Sequence, residues 1–141
     1  MNYLQAFAIS AAGMAVEKAR VDVTAVNLAN AQSTRRPDGG VYRPLRVVAA
    51  TRTGADFATF LDGASLRGAE VAAIVPVDAP PRFVFEPGHP DADARGFVAY
   101  PGIDPVTEMV NLLTAVRAYE ANVAAAGAAR AMAMKTLELG G

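Results

Sequence analysis

From Met109 onward the chain places apolar residues at spacings of three and four: Met109, Leu112, Val116, Tyr119, Val123, Ala126, Arg130, Ala133 and Leu137, with only Arg130 polar. This a/d series puts one apolar seam along a helix, the stripe that packs into a partner helix. The stretch from Asp104 to Leu137 has no proline after Pro105 and a single glycine, Gly127. Asp104 suits the capping of free backbone N–H groups, and Pro105 suits the first helical position. Glu108 in the first turn and Lys135 in the last favour the helix dipole, and Gly140 with Gly141 supplies a stop. About 34 residues at ~1.5 Å each make a rod near 50 Å long. That is long for a helix inside a 141-residue globule, and it predicts an assembly helix.

Residues 2–30 carry a second helical pattern. Leu4, Phe7, Ala11, Met14, Lys18, Val21, Ala25 and Leu28 form one a/d series, and Ile9, Val16 and Val23 beside Ala12, Ala19 and Val26 form another. A helix apolar on more than one face must be covered on more than one face. The pattern fails near Asn27–Asn30, where residues that tolerate left-handed backbone lead into the polar run Gln32–Gly40. Every proline lies between Pro37 and Pro105. Three regions follow: a helix over 1–30, a Pro/Gly-rich region over 31–103, and a helix over 104–141. Within the middle region Leu45–Ala50, Glu70–Val77, Arg82–Glu86 and Gly96–Tyr100 read as short strands. They suffice for one or two hairpins leaning on the helices. The predicted fold is mainly α, with two long terminal helices and a small β-hairpin region.

Composition narrows the function classes. Apolar residues are 52% of the chain and charged residues 19%, but much of the apolar share is alanine, which makes a thin core. A net charge of −1 gives no electrostatic footprint for nucleic acid. The absence of cysteine removes disulfides and thiolate metal sites. No window approaches the length of a membrane span. Residues 3–16 lack the basic flank of a signal peptide and follow Asn2, so cleavage is not expected. Ordering each helix costs ~1.5 kcal/mol per residue, while each seam residue returns ~1–2 kcal/mol on burial. The isolated chain is therefore expected to be only partly helical at its ends, and to order them on assembly.

Candidate chemistry is sparse. His89, between Gly88 and Pro90, could join Asp91 and Asp93 around a metal, or sit in a turn with solvated side chains. One histidine cannot build a His-based zinc site, and the loop lacks the later ligands of a calcium site. Ser10, Ser33 and Ser65 have no paired base, and Gly39-Gly40 lacks the spacing of a phosphate loop. An enzyme built on Asp91, Asp93 and Arg95 has no nucleophile–base pair to support it. Arg35-Arg36 reads as a solvated loop. Asn27, Asn30, Asn111 and Asn122 lie on helices of high apolarity and read either as surface amides or as register-fixing partners between helices. Lys18 and Arg130, the polar seam positions, either meet an opposite charge on a neighbouring copy or snorkel.

The run Val23-Thr24-Ala25-Val26-Asn27-Leu28-Ala29-Asn30-Ala31 resembles the N-terminal signature of bacterial flagellar rod and hook proteins. The run Glu108-Met109-Val110-Asn111-Leu112-Leu113-Thr114-Ala115-Val116-Arg117-Ala118-Tyr119-Glu120-Ala121-Asn122 resembles their C-terminal signature. Short length, Tyr42-Arg43, the stretch from Glu86 to Val98 and the closing Lys135–Gly140 are similar to the proximal-rod branch of that family. The resemblance implies a structural subunit of the periplasmic drive shaft, with terminal helices paired as an antiparallel coiled coil. It implies export through the flagellar type III apparatus without a cleaved signal. Implied partners are other copies, other rod proteins, the inner-membrane ring or export-gate adaptor at the rod base, and the distal rod, with no nucleic acid, no membrane insertion and no cofactor. Expected interface residues are Leu4, Phe7, Met14, Val21 and Leu28 with Met109, Leu112, Val116, Tyr119 and Val123; Asn27, Asn30, Asn111 and Asn122 would fix register. The competing reading is a soluble helical adaptor or chaperone that binds partner helices through the same seams.

Overall fold

The computed structural model describes residues 3–36, 39–52 and 68–139. The predicted Gly140-Gly141 stop, Ser65, and Pro37-Asp38 of the polar loop lie outside the described residues. Helix α1 spans Tyr3–Asn30 and helix α2 spans Pro105–Leu139. Asp104 caps α2 as expected, accepting hydrogen bonds from Val106 N at 3.2 Å and Thr107 N at 3.3 Å. Those bonds and the Thr107 hydroxyl hold its carboxyl below the usual carboxylate range. Because α2 runs on to Leu139, Lys135 lies a turn short of its end and the last turn holds no basic residue. At the end of α1 no residue takes left-handed backbone. The helix closes instead through Ala31 N to Leu28 O and Ser33 N and Oγ to Asn30 O.

The two helices run antiparallel. Asn27 meets Glu108, Gly13 sits against Asn122, and Tyr3 meets Thr136. The side chains buried on them are mostly small: Ser10, Val16, Val23, Thr24 and Asn27 on α1, with Ala115, Ala126 and Ala129 beside Glu108 on α2. Small residues let helix backbones draw together. A Cβ added to Gly13 would lie 2.6 Å from Asn122 Oδ1, so the Asn122 amide would have to shift to admit one.

Strands β1 (Leu45–Thr51) and β2 (Ala69–Pro76) form an antiparallel pair, registered from Leu45 opposite Pro76 to Thr51 opposite Ala69, with an irregularity between Val48 and Ala49. This pair leans on α1, and a side chain at Gly68 would meet Ala12 Cβ at 2.5 Å. Strands β3 (Arg82–Phe85) and β4 (Phe97–Tyr100) form a second antiparallel pair. It is held by the connecting segments: Thr34 Oγ1 donates to Asp91 Oδ2 at 2.7 Å, and Gly102 packs on the Pro80 carbonyl. Val98 is fully buried, with Tyr100, Pro101 and Ile103 buried beside it in sequence.

The loop from Glu86 to Gly96 is a turn, as expected, with Asp93 and Arg95 exposed and His89 and Asp91 half-buried. His89 Nδ1 accepts from Asp91 N at 3.0 Å. Asp93 Oδ1 accepts from Phe97 N at 2.9 Å and Arg95 N at 2.8 Å, which keeps its carboxyl below the ordinary range. Among the described residues no three His, Asp or Glu side chains are grouped to hold a metal ion.

Candidate assembly interface

The helix pair is pinned by one buried polar hub. Asn27 is fully buried and uses its whole amide. Its Nδ2 donates to Leu45 O at 3.0 Å and Glu108 Oε2 at 3.1 Å; its Oδ1 accepts from Leu45 N at 2.9 Å and the Tyr42 hydroxyl at 3.0 Å. Glu108, 2% exposed, also receives Arg46 Nη2 at 2.6 Å and Asn111 Nδ2 at 3.3 Å on Oε1. Burial pushes this carboxyl up, but hydrogen bonds from Arg46 and Asn27, the Arg46 charge and Asn111 together hold it below the usual carboxylate range. A buried charge persists only where such partners satisfy it. Burial, reinforced by the Glu108 charge, raises the Tyr42 hydroxyl above its ordinary value. The hub ties α1, α2 and β1 at one point.

Of the four asparagines, Asn27 therefore has the geometry of a register-fixing residue. Asn30 and Asn122 bond the carbonyls one turn back on their own helices, Val26 O and Ala118 O, and exposed Asn111 supports Glu108. Glu108, read from the sequence as a dipole residue, is the partner that sequence reasoning missed. Arg46 was missed as well. Both lie far from Asn27 in the chain, and no local pattern joins them.

The apolar seams divide. Met14, Val21, Leu28, Leu112 and Val116 are half-buried, whereas Leu4, Phe7, Met109, Tyr119 and Val123 are exposed, Leu4 to 80%. The faces buried within the chain coincide only in part with the large-residue seams: in α1 they fall on the second expected series, at Val16 and Val23, and in α2 one residue before the seam at Glu108, Ala115 and Ala129 but on it at Ala126. Many of the larger side chains stay exposed. Val106, Met109, Val110 and Leu113 form one exposed stripe on the first turns of α2. At the other end of the pair Tyr3, Leu4 and Phe7 with Ala129, Arg130, Ala133, Thr136 and Leu137 line an apolar groove of about 530 Å³. Lys18 is exposed and pairs with Asp22 on its own helix at 2.6 Å. Exposed clusters of large apolar side chains such as these mark interaction surfaces.

Comparison with known proteins points the same way. The family described as "Flagellar basal body rod FlgEFG protein C-terminal" matches residues 94–139, which hold β4 and α2. The flagellar basal-body rod proteins FlgC of Escherichia coli O157:H7 and of Salmonella typhimurium strain LT2 are each 40% identical over 140 residues, covering 99% of both chains. FlgC of Bacillus subtilis strain 168 is 36% identical over 149 residues, again covering 99% of both. Each of these relatives is named as a basal-body rod protein. On full-length identity of this order, and on a fold that leaves many of its larger apolar side chains exposed, the chain belongs to the FlgC family of flagellar basal-body rod proteins.

Proposed function

We propose that the chain polymerises through its terminal helices into the proximal rod, the periplasmic drive shaft that transmits motor torque to the hook. The observation that carries this reading is the exposed apolar surface of the helix pair, from Leu4 and Phe7 at one end to Val106, Met109 and Leu113 at the other. Neighbouring subunits cover that surface: copies of this chain, other rod proteins, the inner-membrane ring or export-gate adaptor at the rod base, and the distal rod. The chain reaches the periplasm by the flagellar type III route without a cleaved signal. Its near-neutral net charge supports contact with protein rather than nucleic acid. Among the described residues no helix is long and apolar enough to cross a membrane.

Electron microscopy of basal bodies from a strain lacking this chain, with motility scored alongside, tests the proposal. Rings without a completed rod, in non-motile cells, are the expected result. Intact rods in swimming cells would overturn it and leave the soluble adaptor as the better reading.

A further inference from the structure

The loop between β3 and β4 begins with two β-turns in series. His89 N donates to Glu86 O at 3.0 Å, and Ala92 N donates to His89 O at 3.0 Å. In each turn the second residue is a proline, Pro87 and then Pro90, whose fixed φ suits that position. His89, the chain's one histidine, is the joint between them. Its backbone closes the first turn and opens the second. Its ring secures the second turn as well, because Nδ1 accepts from Asp91 N at 3.0 Å. A ring nitrogen that accepts carries no proton, so this arrangement requires the neutral imidazole with its proton on Nε2.

Asp91 reaches from this turn to the segment that follows α1. Its Oδ2 accepts from Thr34 Oγ1 at 2.7 Å, and its Oδ1 lies 3.8 Å from Arg35 Nη1. Among the described elements β3 and β4 pack on each other and on no helix or other strand. Connecting segments therefore hold this hairpin to the rest of the fold, and the tie at Asp91 is one of those holds.

A proton on Nδ1 would set two donors, the ring N–H and Asp91 N, against each other. It would also place a cation next to the residue whose carboxylate Thr34 and Arg35 share. The other charged groups of the loop are engaged. Glu86 Oε2 accepts from the Tyr100 hydroxyl at 3.1 Å, and Asp93 Oδ1 accepts from Arg95 N and Phe97 N. Arg95 itself pairs with Asp93 at 3.5 Å. Loss of the acceptor and competition for the Asp91 carboxylate both loosen the tie to Thr34. Imidazole side chains change charge between about pH 5 and 8, above the range in which exposed carboxylates do so.

We infer that His89 is an acid-sensitive latch: its neutral ring holds the second turn, and with it the Asp91–Thr34 tie, and uptake of a proton releases the β3–β4 hairpin from the end of α1. The surface freed in this way carries Phe83 and Phe85, 61% and 62% exposed. The device lies wholly within one chain and operates whatever that chain assembles with.

Amide hydrogen exchange of the full chain, read by NMR between about pH 8 and 5 and corrected for the intrinsic rate, tests the latch, with the His89 ring protons followed alongside. Protection of the Asp91 amide should fall at least ~fivefold, as for the loss of one hydrogen bond, with the midpoint of the ring's own titration. The Thr34 signals should shift with the same midpoint. His89→Asn offers a side-chain carbonyl that can accept from the N–H two residues on without titrating, and in that variant the protection of Asp91 should no longer vary with pH. An Asp91 amide unprotected at the alkaline end, or protected equally through the ring titration, would overturn the latch. So would Thr34 signals that stay fixed while Asp91 responds, or the wild-type pH dependence persisting in His89→Asn.

Discussion

Asn27 Nδ2 donates to Glu108 Oε2 at 3.1 Å, joining residues 81 positions apart at the point where the two helices and β1 meet. Four hydrogen bonds converge on that amide, so its loss strands several buried polar groups at once. An unsatisfied buried group costs ~1–3 kcal/mol. Asn27→Ala should therefore lower the urea midpoint of the helical circular dichroism signal by an amount equivalent to at least ~3 kcal/mol. Asn27→Asp should do the same near neutral pH, where it sets a second carboxylate against Glu108, and should recover partly in acid as one of the two takes a proton. A midpoint unchanged by Asn27→Ala would remove the hub from the account.

Glu108 gives the hub a pH dependence of known sign. Its folded carboxyl is held below the ordinary value, so its stabilisation is complete above the unfolded value of ~4.3 and is lost as pH falls through the lower folded value. Asp93 and Asp104 are lowered too and contribute in the same direction. In a Glu108→Gln variant the denaturation midpoint should be lower than wild type near pH 7, and the gap should narrow on titration below pH ~4. A gap that widens in acid would contradict the geometry.

Gly13 and Asn122 are coupled sterically. In isolation Gly13→Ala should gain up to ~1 kcal/mol of helix stability, but here the new Cβ meets the Asn122 amide at 2.6 Å. The single variant should show little of that gain, whereas Gly13→Ala in an Asn122→Ala background should show most of it. A double-mutant cycle on urea midpoints measures the coupling, which should exceed ~0.5 kcal/mol.

The purified chain in dilute solution should show less helix than the 28 and 35 residues of α1 and α2. The alanine seam buries little area per turn, and the larger side chains await partners. Circular dichroism at low concentration reads this directly; full helicity would mean that the helix pair needs no neighbour.

Much of the fold was legible because its signals are local. The Asp104-Pro105 cap, the Pro/Gly partition and four runs of β-formers placed two helices and four strands to within a residue or two of their observed bounds. The phase of helix packing was less legible. On helices apolar all round, the a/d pattern of large residues competes with a neighbouring pattern of small ones, and close pairing selects small residues: Ser10, Gly13, Ala115 and Ala129, with Ala126 from the a/d series itself. Large residues such as Met109 and Val123 remain outside, where they serve contact between subunits in the proposed rod. Asn27 could be singled out as a polar residue on an apolar helix, but its partners Glu108, Tyr42 and the Leu45 backbone are brought to it only by the folded chain.

The most direct test of the outward faces is complementation of the strain lacking this chain with a Met109→Glu, Leu113→Glu double variant, followed by counting of completed rods in the electron microscope. Both side chains are more than half exposed and lie outside the helix pair, so the purified variant should match wild type in helicity and urea midpoint. The account predicts basal bodies without rods and cells that do not swim. Rods and swimming at wild-type frequency would contradict it.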